Sequence, residues 1–251
     1  MSPQSRSRKK PTSQRSPRPR AVAGLGLALP GLEELYAAFL RASGELVALA
    51  GPLQAELWTS TQLGVLERAA PDREAHRRAL GDLVGYLRRS ETPGAHVFLR
   101  AFAAIGPQEL RADAAKAADG TAGLPGGPVP DWVPALGRVL PGETWLIQDG
   151  SLGGDQIVCE FRYVDGGGPL HALLVQVTQG RATQLLAIGD VPGMMAQVRQ
   201  GVAAEECAAL RLDPAAAGAR LRAALGGDPA PHSEDYHAAL AFARHRIEAL
   251  P

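Results

Sequence analysis

Four short β-rich runs joined by Gly- and Asp-rich connections constrain the fold of this 251-residue chain more than any other feature. The runs are 144–148, 156–164, 170–178 and 183–188, and the connections include the sequences DGSLGGD, DGGGP and QGRA. Connections this short join antiparallel neighbours, because a parallel pair needs a crossover of about a dozen residues or more. The sequence therefore predicts a four-stranded antiparallel meander within an α+β fold.

The second and third runs alternate between apolar and polar residues, which predicts one apolar and one mixed face of the sheet. A turn centred near Gly167 would pair Tyr163 with His171 and Cys159 with Val175. We expect helices to cover the apolar face. That face is predicted to hold Ile157, Cys159, Phe161, Tyr163, His171, Leu173, Val175 and Val177.

Helical patterns and composition divide the chain into four predicted segments. They are a disordered basic arm (1–29), a helical region (30–120), a Pro/Gly-rich strap (121–142) and an α+β module (143–251). Apolar residues at helical spacing make the helical region a predicted bundle, and two further helices are predicted after the meander. Trp132 should dock the strap onto the body, because an exposed indole would leave a large apolar area in water.

The N-terminal arm carries a strong charge asymmetry. The whole chain has 26 basic and 26 acidic residues, but residues 1–20 hold seven basic and no acidic ones, which leaves an excess of seven acidic residues in the body. Such an arm has no apolar face to bury, and it would bind polyanions by counterion release. The predicted polyanion-binding residues are Arg6, Arg8, Lys9, Lys10, Arg15, Arg18 and Arg20.

Two other interpretations of the N-terminus stay open. The arm could be a solvated tail, or a targeting segment in which the basic residues precede the apolar stretch 21–29. That stretch is short, contains two glycines and has no convincing cleavage site, so we expect the cytoplasm rather than secretion.

Four ionisable residues near the meander are weak candidates for chemistry: Asp149, Asp155, Glu160 and His171. They would serve a small hydrolase or ligand-binding enzyme whose pocket lies near the meander. The predicted register separates Cys159 from His171 by roughly 13 Å, at about 3.3 Å per residue, which is too far for a nucleophile and its base. No catalytic residue, cofactor or metal ligand is assigned, since no phosphate-binding, metal-binding or nucleophile motif occurs.

The order of motifs in the second half of the chain resembles a protein family. The motifs are PDWVPALGRV, TWLIQDGSLGGD, EFRYVDGGGPLHALLVQV, DPAAAGARLRAAL and HSEDYHAALAFARHRIEAL. They are similar to those of high-GC actinobacterial proteins that join an N-terminal helical region to an α+β module and have no established activity. Members often carry Asp and His where this chain has Thr178 and Gln179, so the resemblance implies no polar site there.

The sequence favours a non-catalytic cytoplasmic interaction or regulatory protein. Its predicted partners are nucleic acid or an acidic protein through the arm, and another protein through the body, but no membrane. The alternatives are the small hydrolase or ligand-binding enzyme described above and a structural partner whose helical half offers an apolar groove.

Overall fold

The computed structural model describes residues 31–121, 129–149, 153–226 and 233–251. These residues form eight α-helices and one five-stranded antiparallel sheet. The helices are α1 (Leu32–Ala42), α2 (Pro52–Ala69), α3 (Arg73–Ser90), α4 (Pro93–Ile105), α5 (Gln108–Asp119), α6 (Val191–Ala203), α7 (Pro214–Leu225) and α8 (Glu234–Glu248). The strands are β1 (Val139–Asp149), β2 (Gly154–Tyr163), β3 (His171–Thr178), β4 (Arg181–Ile188) and β5 (Cys207–Arg211).

Part of the predicted organisation lies outside the described residues. This applies to the basic arm and to residues 122–128 of the strap. It also applies to all seven predicted polyanion-binding residues: Arg6, Arg8, Lys9, Lys10, Arg15, Arg18 and Arg20.

Local sequence signals explain where the N-terminal helices begin. Asp72 caps α3, as the Pro71-Asp72 break predicts, and its carboxylate accepts a hydrogen bond of 2.7 Å from the Ala75 amide. Thr92 caps α4 in the same way, with 3.2 Å between its hydroxyl oxygen and the Ala95 amide. The helices bury a shared apolar core that includes Phe98. The region is therefore helical as predicted, and its description as a bundle stays a prediction.

The sheet confirms the α+β class, but the predicted number of strands is wrong. The strand order is β4-β3-β2-β1-β5, and β5 pairs antiparallel with β1, so that Leu210 lies opposite Leu146. The sequence of β5, CAALR, has no β-branched or aromatic residue. This strand consequently has no local signal and depends on its pairing with β1.

The predicted register of the β2–β3 hairpin is also wrong, by two residues. His171 lies opposite Phe161, and Cys159 lies opposite Leu173. The connection is longer than expected because residues Val164–Gly166 form a 3₁₀ turn, while Tyr163 pairs with Val139 of β1 instead. A shift of two residues preserves the side-chain alternation, so the predicted apolar face keeps its members.

Helices cover the two faces of the sheet unequally. Helices α7 and α8 pack with the apolar face in one large core. Helix α6, which the sequence analysis did not predict, covers the mixed face with Val191 and Met195 against Val158 and Leu174. The mixed face is thus partly covered from within the chain.

Helix α8 also joins the sheet to the helical region by packing against α2. The two helices approach closely at Gly64, where an added Cβ atom would lie 2.2 Å from the His237 carbonyl oxygen. The strap is also attached to the helical region, because the Trp132 indole donates a hydrogen bond of 3.0 Å to the Leu49 carbonyl. This contact confirms the predicted docking of Trp132.

Candidate functional site

The four residues that the sequence nominated for chemistry are not brought together. Asp149 and Asp155 lie at one end of the β1–β2 hairpin, where Asp155 accepts hydrogen bonds from Gln148 and Arg220. These hydrogen bonds lower the pKa of Asp155. Glu160 lies five residues further along β2, roughly 16 Å away at about 3.3 Å per residue. This separation leaves no shared acid–base site for these carboxylates.

Glu160 of β2 and His171 of β3 both lie near the turn that joins these two strands, but they point to opposite faces of the sheet. Glu160 lies on the mixed face, where burial and the neighbouring charge of Glu143 raise the pKa of its carboxyl group. His171 is completely buried in the apolar face. Burial also raises the pKa of the Cys159 thiol to about 12, so this cysteine is not an activated nucleophile.

His171 belongs instead to an enclosed polar network centred on Arg246 of α8. The Arg246 guanidinium forms an ion pair with Glu56 of α2, and both side chains are 0% exposed. Its Nε donates to His171 Nε2 over 2.9 Å, and its Nη1 lies 2.7 Å from His245 Nδ1. Tyr163 donates to Glu56 over 2.7 Å and accepts from Arg246 over 3.1 Å.

Two further contacts, one to Glu56 and one to the Arg246 guanidinium, complete this Arg246 network. The second Glu56 oxygen accepts a hydrogen bond of 2.7 Å from the Gly137 amide, so the strap is tied to α2. The guanidinium carbon of Arg246 lies 4.3 Å from the centre of the Phe242 ring, within the range of a cation–π interaction. A buried charge is tolerated when it is paired and hydrogen-bonded in this way.

The network keeps both of its histidines neutral. His171 Nε2 accepts from Arg246, so Nδ1 carries the proton and donates to the Pro169 carbonyl over 3.0 Å. Burial, reinforced by the Arg246 charge, lowers the pKa of His171 to about 4 and that of His245 to about 3. Both His171 nitrogens thus have hydrogen-bond partners, which are the Pro169 carbonyl and Arg246.

Glu56 and Arg246 were not predicted from the sequence, although a signal was present. Glu56 lies three residues after Leu53 and seven before Leu63, on the apolar stripe of α2. Arg246 similarly follows the stripe residue Ala243 by three. Opposite charges on the buried stripes of two helices indicate an internal ion pair.

An open cleft on the other side of α8 is an accessible candidate site. It lies between α2, α3, the turn joining α4 to α5, and α8, and it has a volume of about 650 Å³. Its charged lining consists of Arg73, Arg77, Arg111, Arg244, Glu67, Glu74, Glu109 and Glu248. His76, Leu80, Ile105 and Ala241 are also among its lining residues. No sequence pattern marked this cleft, because it forms where four separate helical segments meet.

Comparison with known proteins adds no relative: no protein-family model, curated protein or solved structure matches this chain. The resemblance to the actinobacterial family consequently stays a prediction. Within the described residues, no helix combines the length and apolar character needed to span a bilayer. The same residues contain no cluster of three His, Cys, Asp or Glu side chains suited to a metal ion.

Proposed function

We propose that this chain is a non-catalytic cytoplasmic interaction or regulatory protein whose basic arm contacts nucleic acid or another polyanion. The observation that carries the proposal is the separation of charge along the sequence. Seven cations within residues 1–20 precede a body with an excess of seven acidic residues. Such an arm binds phosphates without reading bases, because it has no aromatic residues for stacking.

The geometry of the body supports a binding role over catalysis. The candidates Asp155 and Glu160 are far apart, and His171 is enclosed with its hydrogen bonds satisfied. A nucleophile and base would have to lie within about 3 Å of each other beside a substrate.

The test is salt-dependent binding of the full-length chain to double-stranded DNA and to single-stranded RNA. A variant with all seven arm cations replaced by Gln should lose the affinity measured at low salt. The slope of log K against log salt should become shallower by about 0.9 for each phosphate contact removed from duplex DNA.

A control removes three cations from the body. Arg162, Arg181 and Arg199 are exposed, so replacing them by Gln lowers the positive charge of the body without altering the arm. This control should bind like the original chain. Absence of polyanion binding even at low salt, or equal losses in both variants, would exclude the arm as the binding element.

A further inference from the structure

One face of α3 concentrates exposed arginine side chains. At about 100° per residue, Arg77 and Arg88 form a row along one side of this face, and Arg78 and Arg89 form a row along the other. All four side chains are exposed to solvent. Each row spans about 16 Å along the helix axis, at about 1.5 Å per residue. We call these two rows and the strip between them the arginine face of α3.

Gly81 and Gly85 lie in the strip between the two rows. A Cβ atom added at Gly81 would meet nothing within 4 Å, and one added at Gly85 would meet only the Arg89 guanidinium, at 3.5 Å. Packing therefore requires glycine at neither position, although glycine within a helix is destabilising relative to alanine. The two glycines leave a shallow channel that is open to solvent, and a ligand lying in this channel can come close to the helix backbone.

The charges on the arginine face do not cancel. Arg77 forms an ion pair with Glu74, which lies at the N-terminal end of the strip. Within the part of the chain that the structure describes, the other three arginines form no ion pair. The remaining acidic residue of α3, Asp82, lies outside the row of Arg78 and Arg89. Three guanidinium groups without a partner therefore outweigh one carboxylate, and the face has a net positive charge.

The shape and charge of this face determine which ligand fits it. An elongated anion with closely repeated charges can contact both rows along their whole length. The backbone of a nucleic acid duplex has this property, because it carries one charge for about every 1.7 Å of its axis. A second copy of this face would instead be repelled, since it carries the same charge.

The arginine face is suited to contacts with phosphates rather than with bases. Proteins that bind unpaired bases without sequence preference stack them on aromatic side chains. Tyr86, the aromatic residue beside this face, packs against Tyr36 of α1, and the two ring centres are 5.7 Å apart. The positive charge of the arginines is therefore the feature that a ligand would meet here.

We propose that the arginine face of α3 binds the phosphate backbone of a nucleic acid duplex, as a contact of the folded body in addition to that of the basic arm. The nucleic acid backbone follows the channel over Gly81 and Gly85. Arg88 contacts phosphates from one side, and Arg78 and Arg89 contact them from the other. The proposal rests on the proposed function, since it needs a polyanionic partner, but it concerns different residues and is tested separately.

The probe is a fluorescently labelled DNA duplex of mixed sequence, titrated with the full-length chain at low salt and followed by fluorescence anisotropy. The α3 variant carries Arg78→Gln, Arg88→Gln and Arg89→Gln. It should bind the duplex about tenfold or more weakly than the original chain. The slope of log K against log salt should become shallower by about 0.9 for each phosphate contact removed.

The matched control makes the same change of charge elsewhere on the body. Arg162→Gln, Arg181→Gln and Arg199→Gln replace three arginines that are exposed and lie outside α3. This control should bind like the original chain. Circular dichroism and thermal unfolding confirm that each variant is folded, because Arg88 and Arg89 also stabilise the last turn of α3.

An uncharged substitution tests the channel between the rows. Gly81→Gln should weaken duplex binding severalfold, because the added side chain occupies the channel. It should not lower the melting temperature, since Gln favours a helix more than Gly does and an added Cβ meets nothing within 4 Å. Gly44→Gln is the control, because Gly44 has the same open surroundings and lies outside α3. Equal binding by the two glycine variants would contradict a ligand lying in the channel.

The arm variant, in which all seven arm cations are replaced by Gln, distinguishes this contact from that of the arm. If the arm variant loses binding while the α3 variant binds like the original chain, the proposal is overturned and the proposed function stands. A loss in the α3 variant but not in the arm variant supports the α3 contact and contradicts a role of the arm. Equal losses in the α3 variant and its control would overturn the proposal, because they would report only the overall charge.

Poly-L-glutamate tests the alternative that an acidic protein is the partner. With the arm variant, unlabelled duplex should displace the labelled duplex more effectively than poly-L-glutamate does at equal charge concentration, because the charges of the duplex are more closely spaced. Equal displacement would overturn the assignment to nucleic acid in favour of an acidic protein. No binding of the duplex to the original chain at low salt would overturn the proposal and the role of the arm together.

Discussion

Two of the Glu–Arg ion pairs between helices α2 and α8 lie in very different surroundings. Glu56 and Arg246 are both 0% exposed, whereas the side chains of Glu67 and Arg244 are 24% and 47% exposed. The same residue types on the same two helices thus form an enclosed network in one place and the rim of an open cleft in the other. The comparison teaches that the surroundings of an ion pair, rather than its residue types, determine how much the pair contributes to the free energy of unfolding.

The physical cause of the difference is desolvation. Water solvates each member of the exposed pair whether or not the pair forms, so breaking it costs little. In the enclosed network, removal of one partner leaves the other charge without water or a counter-ion. Substitution of either member of the enclosed pair should therefore weaken the contact between α2 and α8 more than substitution of either member of the exposed pair.

The largest expected effect is that of breaking the enclosed pair. Glu56→Gln should lower the free energy of unfolding by about 3–5 kcal/mol, because Arg246 stays buried without a counter-charge. Urea unfolding followed by circular dichroism measures this loss. A change below about 1 kcal/mol would mean that water reaches Arg246 and that the network is not enclosed.

Acidification should destabilise the enclosed network through its two buried histidines. His171 and His245 have pKa values of about 4 and about 3 in the folded protein, below the ordinary value of 6.5. As the pH falls below about 6.5, the unfolded state takes up protons first. The stability present above that pH is then lost progressively down to about pH 4 for His171 and pH 3 for His245.

The expected loss is up to about 1.4 kcal/mol per pH unit for each of these histidines. Urea unfolding measured from pH 7 to pH 4.5 tests it. His245→Gln should give a smaller slope, because one of the titrating groups is gone. A free energy of unfolding that is constant over this range, or that rises as the pH falls, would contradict neutral buried histidines.

The separation between α2 and α8 can be altered directly at Gly64. A Cβ atom there would overlap the His237 carbonyl oxygen, so Gly64→Ala should force the helices apart and destabilise the protein by about 1–3 kcal/mol. The matched control is Gly81→Ala in α3, where an added Cβ meets nothing within 4 Å. This control should stabilise the protein by up to about 1 kcal/mol, because alanine favours the helix. Equal effects in thermal unfolding of the two variants would contradict the close helix crossing.

The smallest expected effect is that of breaking the exposed pair. Glu67→Gln should change the free energy of unfolding by less than about 1 kcal/mol, since both side chains stay in contact with water. Chemical unfolding at low and high salt should reveal a difference that shrinks further as salt screens the pair. A loss comparable to that of Glu56→Gln would show that exposure does not separate the two pairs.

The alternation of residues was sufficient to predict the faces of the sheet, but not its full extent. Phe161 and Val175 fall on the buried face at any register that shifts by two, so their burial was predictable while their partners were not. Strand β5 depends on pairing with a strand about 60 residues earlier in the chain, and no local pattern reports such a contact. Helix α6 had a readable start at Asp190, which caps it, but its glycines and valines weaken the helical pattern.

The candidate sites were less predictable than the fold. Sequence spacing placed Asp155 and Glu160 near one another because they are close in sequence, yet an extended strand separates them. Glu56 and Arg246 meet across 190 residues, and only the apolar stripes on which they lie hint at their burial. The cleft at Arg73 and Glu109 depends on the angles between helices, which no single segment encodes.

The Arg246 network also constrains the order in which the protein can be completed during translation. Glu56 leaves the ribosome 190 residues before Arg246, and Tyr163 leaves it 83 residues before. Until α8 arrives, the glutamate must remain hydrated, and the surfaces of α2 and the sheet that α8 later covers stay open to solvent. The nascent chain therefore carries an unfinished apolar surface through most of its synthesis, at a stage when binding by a chaperone would be most useful.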